Sequence, residues 1–201
     1  MRELIVATRN QDKLKEIKLL LKGLPLKVIS LNSFKDVPQV KEDGNTLEAN
    51  AIKKAIQVSR FLKKLVVADD SGLEIAFLGN MPGVYSARFS GKGATYDSNN
   101  KKVLMLLKDV PSSKRNAQFR CCIAIADKGR LIGIVEGGSK GRIGFKAIGK
   151  SGFGYDPIFI PYGYKETFAQ LGMRKKNKIS HRNKALVQAK KVIKRYINGK
   201  H

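Results

Sequence analysis

Five groups of residues in this 201-residue chain are of types that could handle phosphates and a nucleobase. In Thr8-Arg9-Asn10-Gln11-Asp12-Lys13, a hydroxyl, two amides and a lysine stand where a helix begins. Unpaired backbone N–H groups at such a point attract polyanions, although Thr and Asn also serve there as plain helix caps. No GxxxxGK[ST] pattern occurs, so this is not a Walker loop. Glu42 and the pair Asp69-Asp70 are the second group. Magnesium takes one or two protein carboxylates and completes its shell with substrate phosphates and water, so these few acids suffice. In extended backbone, consecutive side chains diverge, so one of Asp69 and Asp70 could hold the ion while the other orients a water or a ligand. The competing reading is a turn with Asx bonding ahead of Gly72.

Asn50 and Lys53 stand three apart in a helical pattern and share a face, from which they could reach a phosphate or an attacking water, or simply be solvated. Ser151-Gly152-Phe153-Gly154-Tyr155-Asp156-Pro157 offers aromatic rings beside glycines, the combination that lets a base stack with close backbone approach, and Asp156 could accept from the base or sugar. An aromatic packed in a turn is the alternative. Finally, His181 and Arg182 follow Lys176 and Ser180 into the first turn of the last helix. Cations there oppose the helix dipole, a cost that makes sense if they face a ligand.

The elements that must position these groups alternate between strand and helix patterns. Leu4–Ala7 is a short apolar run before the Thr8 loop, and Leu14, Ile17, Leu20 and Leu21 give a helical face that stops at Gly23. Leu26–Ile29 reads as a strand, and a helix is expected from about Thr46 to Lys63. Leu65–Ala68 reads as a buried strand that ends at Asp69-Asp70, putting both carboxylates at its C-terminal edge, where open α/β sheets bind ligands. Asp97 is expected to cap a helix ending near Lys108. Ala117–Ala126 and Leu131–Val135 form a hairpin across Asp127-Lys128-Gly129-Arg130, which makes the sheet mixed. Ser180 starts the last helix, with Leu186, Ala189, Ile193 and Ile197 turned inward and a basic outer face.

Composition narrows the function classes. The 201 residues suit one α/β domain, with 42% hydrophobic residues to build a core and no low-complexity tract. No apolar run is long enough for a membrane span and the N-terminal residues do not read as a secretory signal, so a cytoplasmic protein is expected. Cys121 and Cys122 are adjacent in a strand pattern and are not expected to pair. Lys and Arg number 40 against 16 Asp and Glu, a net charge of +24, the balance of a protein that meets phosphates. Residues 101–201 carry +19 of it, with no acid after Glu166. A nucleic-acid-binding protein without hydrolase activity is therefore the rival reading, but no helix-turn-helix, zinc finger or aromatic RNA-binding signature is present.

Taken in order, Ala7-Thr8-Arg9-Asn10 with Lys13, Glu42-Asp43-Gly44-Asn45-Thr46 with Asn50-Ala51 and Lys53-Lys54-Ala55, Asp69-Asp70-Ser71-Gly72-Leu73, Pro82-Gly83-Val84-Tyr85-Ser86-Ala87-Arg88, Phe153-Gly154-Tyr155-Asp156-Pro157 and Ser180-His181-Arg182 resemble the inosine triphosphate pyrophosphatases over nearly the whole chain. That resemblance implies an α/β fold with an elongated mixed β-sheet and flanking helices, a single domain over residues 1–201 with two lobes around a central cleft, and a homodimer. It implies hydrolysis of ITP, dITP or XTP to the monophosphate and pyrophosphate with magnesium as cofactor, with a small-molecule nucleotide as partner and no specific nucleic acid or membrane.

By the same resemblance, Thr8, Asn10 and Lys13 hold phosphates, Glu42, Asp69 and Asp70 hold the metal, and Asp70 also activates water. Lys53 and Ser71 contact phosphate or nucleophile, and Arg9, Gln11, Asp12, Asn50, Arg88, Gly154 and Tyr155 complete the substrate-binding set. Phe153 stacks on the base, Asp156 fixes the nucleoside, and Lys176, His181 and Arg182 read the purine edge. The chain departs from the family in having Lys175 and Gln170 where glutamate is frequent.

Overall fold

In a computed structural model, which describes residues 2–199, the strand and helix patterns resolve into a mixed α/β fold. Six strands form one sheet in the order β2-β1-β3-β4-β5-β6. Their ranges are β1 Arg2–Val6, β2 Leu26–Ser30, β3 Leu65–Ile75, β4 Asn116–Asp127, β5 Arg130–Ile143 and β6 Phe159–Pro161. The helices are α1 Gln11–Leu21, α2 Leu47–Leu62, α3 Tyr96–Leu106, α4 Phe168–Ile179 and α5 His181–Ile197. β1 pairs in parallel with β2, Leu4 opposite Val28, and with β3, Leu4 opposite Leu65, while β5 and β6 are antiparallel. The sheet is mixed, as expected.

Local chemistry explains most of the boundaries. Asn10 caps α1 by accepting from the amides of Asp12 and Lys13, Thr46 caps α2 through Ala49, and Lys63 closes α2 in the left-handed region. Lys128 and Gly129 both have positive φ, as a two-residue hairpin turn between β4 and β5 requires. Two expectations change. Thr95, not Asp97, caps α3, in a reciprocal capping box with Ser98; Asp97 instead pairs with Lys101 one turn on. β3 does not stop at Ala68 but continues to Ile75, so Asp69, Asp70 and Ser71 lie within a strand and not at its end. Gly72 permits this, because a Cβ there would lie 2.3 Å from the carbonyl oxygen of Gly83.

The chain divides into two compact units, one made of Met1–Asp70, Cys121–Gly137 and Asn183–His201, the other of Ser71–Arg120 and Gly138–Arg182. In the first, Leu4, Val6, Val67, Ile123 and Ile125 meet Leu14, Ile17 and Leu21 of α1 and Leu186, Ala189 and Ile193 of α5 in one core. In the second, Leu73, Ile75, Phe119 and Phe159 meet Val103 and Leu107 of α3 and Phe168 of α4. Each core supplies the apolar burial that drives folding of its unit. Cys121 and Cys122 are buried and are not joined in a disulfide, as expected for adjacent strand residues. No helix among the described residues is long and apolar enough to cross a membrane.

Candidate functional site

The first unit gathers a lysine and carboxylate cluster around the end of β1, the start of α1 and the middle of β3. Thr8 accepts from the Asn10 amide at 3.2 Å, and Asn10 Oδ1 is engaged in the α1 cap at 2.9 and 3.1 Å. Asn10 is therefore the helix cap, and it holds the loop while Lys13 projects from the first turn. Lys13 Nζ lies 3.1 Å from Asp69 Oδ2, and the Asp69 carboxylate is almost completely buried. Gln11 is exposed and Asp12 half-buried in the same turn, and Arg9 reaches away to donate to the Val37 carbonyl at 3.1 Å. Arg9 thus ties the Thr8 loop to the segment that carries Glu42.

Two neighbouring lysines of α2 separate here. Lys53 forms a 2.5 Å pair with Asp43, both substantially exposed, and this contact holds the Asp43 carboxyl below its ordinary range. Lys54, one position on and so rotated by about 100° on the helix, pairs with Glu42 and donates to the Asp69 carbonyl at 3.0 Å. The structure brings Lys54, not Lys53, onto the carboxylates. Residue type alone does not separate them. Asn50 is buried and clamps the turn before α2, accepting from Gly44 N at 2.8 Å. A Cβ at Gly44 would lie 2.7 Å from that same Asn50 oxygen, which explains the glycine.

Asp70 is buried, and burial pushes its carboxyl above the ordinary aspartate range. Lys13 and Lys54 pull it back, Glu42 pushes it further up, and a hydrogen bond with Asn50 lowers it. Glu42 and Asp70 are therefore near enough to repel, with lysines as their present counter-ions. Among the described residues, no group of three or more His, Cys, Asp and Glu side chains forms a protein-only metal cage. A carboxylate pair of this kind suits a hard cation that brings its other ligands from substrate and water.

The second unit assembles an aromatic and cationic cluster. Phe153 N donates to Asp156 Oδ2 at 2.9 Å, and Lys176 Nζ of α4 meets the same oxygen at 2.6 Å in a fully buried pair. Gly152 is required beside it, since a Cβ would lie 2.1 Å from Asp156 Oδ2. Gly154 has φ +64° and its carbonyl accepts from Asn100 of α3 at 2.9 Å. Lys176 Nζ stands 4.5 Å and the Arg182 guanidinium 5.5 Å from the centre of the Phe153 ring, with Tyr96 flanking it at 6.0 Å. Arg182 also donates to Ser71 Oγ at 3.0 Å. Phe153, Asp156, Lys176, Arg182 and Ser71 are thus brought together.

Three more of the expected binders have surroundings of their own. His181 is buried and stacks on Phe119, centroids 4.6 Å apart at 11°. Tyr155 is buried with its hydroxyl on the Ser86 carbonyl at 2.8 Å, and burial pushes its phenol far up, so it is held as a neutral packing group. Arg88 is exposed with its guanidinium over Tyr85. Neither α4 nor the roles of the α3 asparagines follow from local sequence spacing. Asn99 ties Ser90 to the Ser86–Ala87 carbonyls and Asn100 holds Gly154, so both serve the loops and not the helix face.

The Ham1 family matches residues 4–192. A protein of Desulforamulus reducens named dITP/XTP pyrophosphatase is 48% identical over 193 residues, 96% of either chain. A solved HAM1 protein from Coxiella burnetii superposes with a TM-score of 0.88 at 40% identity, covering 96% of this chain and 99% of its own. The Staphylococcus aureus Ham1 structure gives 0.86 at 34% identity over the full length of both chains. With the family matched across almost all of its length and relatives this similar, the chain belongs to the Ham1 family.

Proposed function

We propose that this protein hydrolyses deaminated purine nucleoside triphosphates, ITP, dITP and XTP, to the monophosphate and pyrophosphate. The observation that carries the reading is the Glu42 and Asp70 carboxylate pair among Lys13 and Lys54, in a chain whose relative carries the name dITP/XTP pyrophosphatase. Glu42 and Asp70 would hold a magnesium ion; when bound, it neutralises charge on the triphosphate and makes the α-phosphorus more electrophilic. Asp69 keeps Lys13 in place through their ion pair, and Lys13 and Lys54 supply positive charge to the phosphates.

Water attacks the α-phosphorus in line with the departing pyrophosphate. The P–O bond to water forms as the bond to the β-phosphate oxygen breaks, and the water proton passes to an oxygen of Asp70. In the second unit, Phe153 stacks on the base while Lys176 and Arg182 present donors. Hypoxanthine and xanthine offer an O6 acceptor to these donors, whereas adenine offers an N6 donor and leaves like facing like. A homodimer in the cytoplasm completes the proposal, supported by the family resemblance and by the lack of a membrane-spanning helix among the described residues.

Incubating the protein with ITP, dITP, XTP, ATP and GTP in magnesium tests the reaction. The expected products from ITP are IMP and pyrophosphate in equal amounts, with ATP far slower. Intact ITP across a range of divalent metals and pH, or release of inorganic phosphate in place of pyrophosphate, refutes the assignment. Light scattering after size exclusion tests the dimer.

A further inference from the structure

We infer that the outward face shared by α1 and α5 is a docking surface for double-stranded nucleic acid, held through its phosphates without reading sequence. This goes beyond the hydrolase reading and does not depend on it. Both helices belong to the first unit, and their apolar sides meet in its core through Leu14, Ile17 and Leu21 against Leu186, Ala189 and Ile193. Their other sides are exposed and basic, with Lys15 and Lys18 from α1, Lys22 at its C-cap, and Lys191 and Lys194 from α5 beside Lys184 and Arg195. Lys190 of α5 donates to the Lys22 carbonyl at the end of α1, which fixes the two helices side by side at that point.

This concentration of charge is not neutralised within the unit. None of Lys15, Lys18, Lys22, Lys191 and Lys194 forms an ion pair among the described residues, α5 contains no acid, and one of the two acids of α1, Glu16, is buried. Like charges three or four residues apart on a helix repel, so the face is destabilising until an anion covers it. Lys15, Lys18 and Lys22 follow an i, i+3, i+7 spacing, a row with one cation about every 5 Å along the helix. A row of this kind needs an extended, rigid polyanion, and a duplex offers one charge for about every 1.7 Å of its axis.

The composition of the face selects among polyanions. Leu19 and Val187 are its exposed aliphatic residues, 59% and 48% accessible, and no aromatic stands between the lysines. It therefore lacks both the ring platform on which single strands stack and the Trp, Phe and Leu face that sinks an amphipathic helix into a bilayer. Apart from the exposed Arg195 of α5, its cations are lysines, compact point charges suited to phosphates and not to the bidentate reading of base edges.

The test is fluorescence anisotropy of a labelled mixed-sequence DNA duplex titrated with the full chain at several KCl concentrations. Two triple variants accompany it: Lys15→Gln, Lys18→Gln and Lys191→Gln on the face, and Lys108→Gln, Lys114→Gln and Lys146→Gln at exposed positions of the second unit. The face variant should weaken binding and reduce the magnitude of the slope of log K against log salt by about 2.7, with its circular dichroism and ITP turnover unchanged. The control variant should keep the wild-type slope. Equal losses in both triples would mean that net charge alone governs binding and would overturn the proposal. So would absence of duplex binding at low salt, or capture by phosphatidylglycerol vesicles in preference to the duplex.

Discussion

Lys13 and Asp69 face each other at 3.1 Å in the first unit, so the lysine that starts α1 is held from β3 by a carboxylate with almost no access to water. Asp69 and Asp70 are neighbours in one strand, yet they do different work: Asp69 is engaged by lysines through both its side chain and its backbone, while Asp70 sits with Glu42 and Asn50. Alternation along an extended strand separates them.

Asp70→Asn should lower kcat for ITP by about 10³-fold, within the range that a positioned general base contributes. Its stability should move the other way. A carboxyl whose pKa is raised in the folded state weakens the fold at pH above that value, and the penalty fades as pH falls through it toward the ordinary aspartate value. The metal-free variant should thus melt at the same temperature as the parent protein or higher at pH 8, with the difference shrinking toward pH 4. Unchanged turnover would remove Asp70 from the mechanism.

The same carboxyl sets a pH dependence for turnover. At low magnesium, the acidic limb of the kcat/KM profile should fall at a pH above that of an ordinary aspartate, because Asp70 must lose its proton to bind metal or accept from water. Raising magnesium should move the limb to lower pH, since a bound cation favours the charged form. A limb that ignores metal concentration would contradict the assignment.

Lys53 and Lys54 make a matched pair of substitutions. Lys54→Met should reduce kcat/KM by about 10²-fold through loss of charge beside Glu42 and the phosphates. Lys53→Met removes an exposed pair with Asp43, and solvent-screened surface pairs contribute little, so activity should stay within about three-fold. The reverse ranking in steady-state assays would restore Lys53 to the site.

Base selection should respond to Arg182 and fold stability to Lys176. Arg182→Ala should cut the preference for ITP over ATP by about 10-fold or more, the scale of one lost base contact. Lys176→Met leaves Asp156 buried beside a neutral side chain and should cost about 3–5 kcal/mol in denaturant unfolding. Unaltered discrimination in the first variant would argue against edge reading.

Much of the fold is legible in the chain because its signals are local. The spacing of Leu14, Ile17 and Leu21 and the Asn10 cap mark α1, and Lys128-Gly129 marks the hairpin turn. The end of β3 is not legible, because Asp69-Asp70-Ser71-Gly72 has turn composition while burial and strand pairing keep it extended. Helix α4 escapes notice for a related reason: Gly172, at φ +72°, kinks it and interrupts its apolar pattern, with helical backbone on both sides.

The sequence by itself determined the residue types of the site, the alternation of strand and helix, and the charge balance, since each depends on neighbours a few positions apart. Only the tertiary structure decided which of Lys53 and Lys54 meets the carboxylates, that Asp69 is engaged by Lys13, and that Lys176 is buried on Asp156. The reason is physical. A charged side chain finds its partner by reach and burial among elements distant in sequence, and neither quantity is written in local spacing.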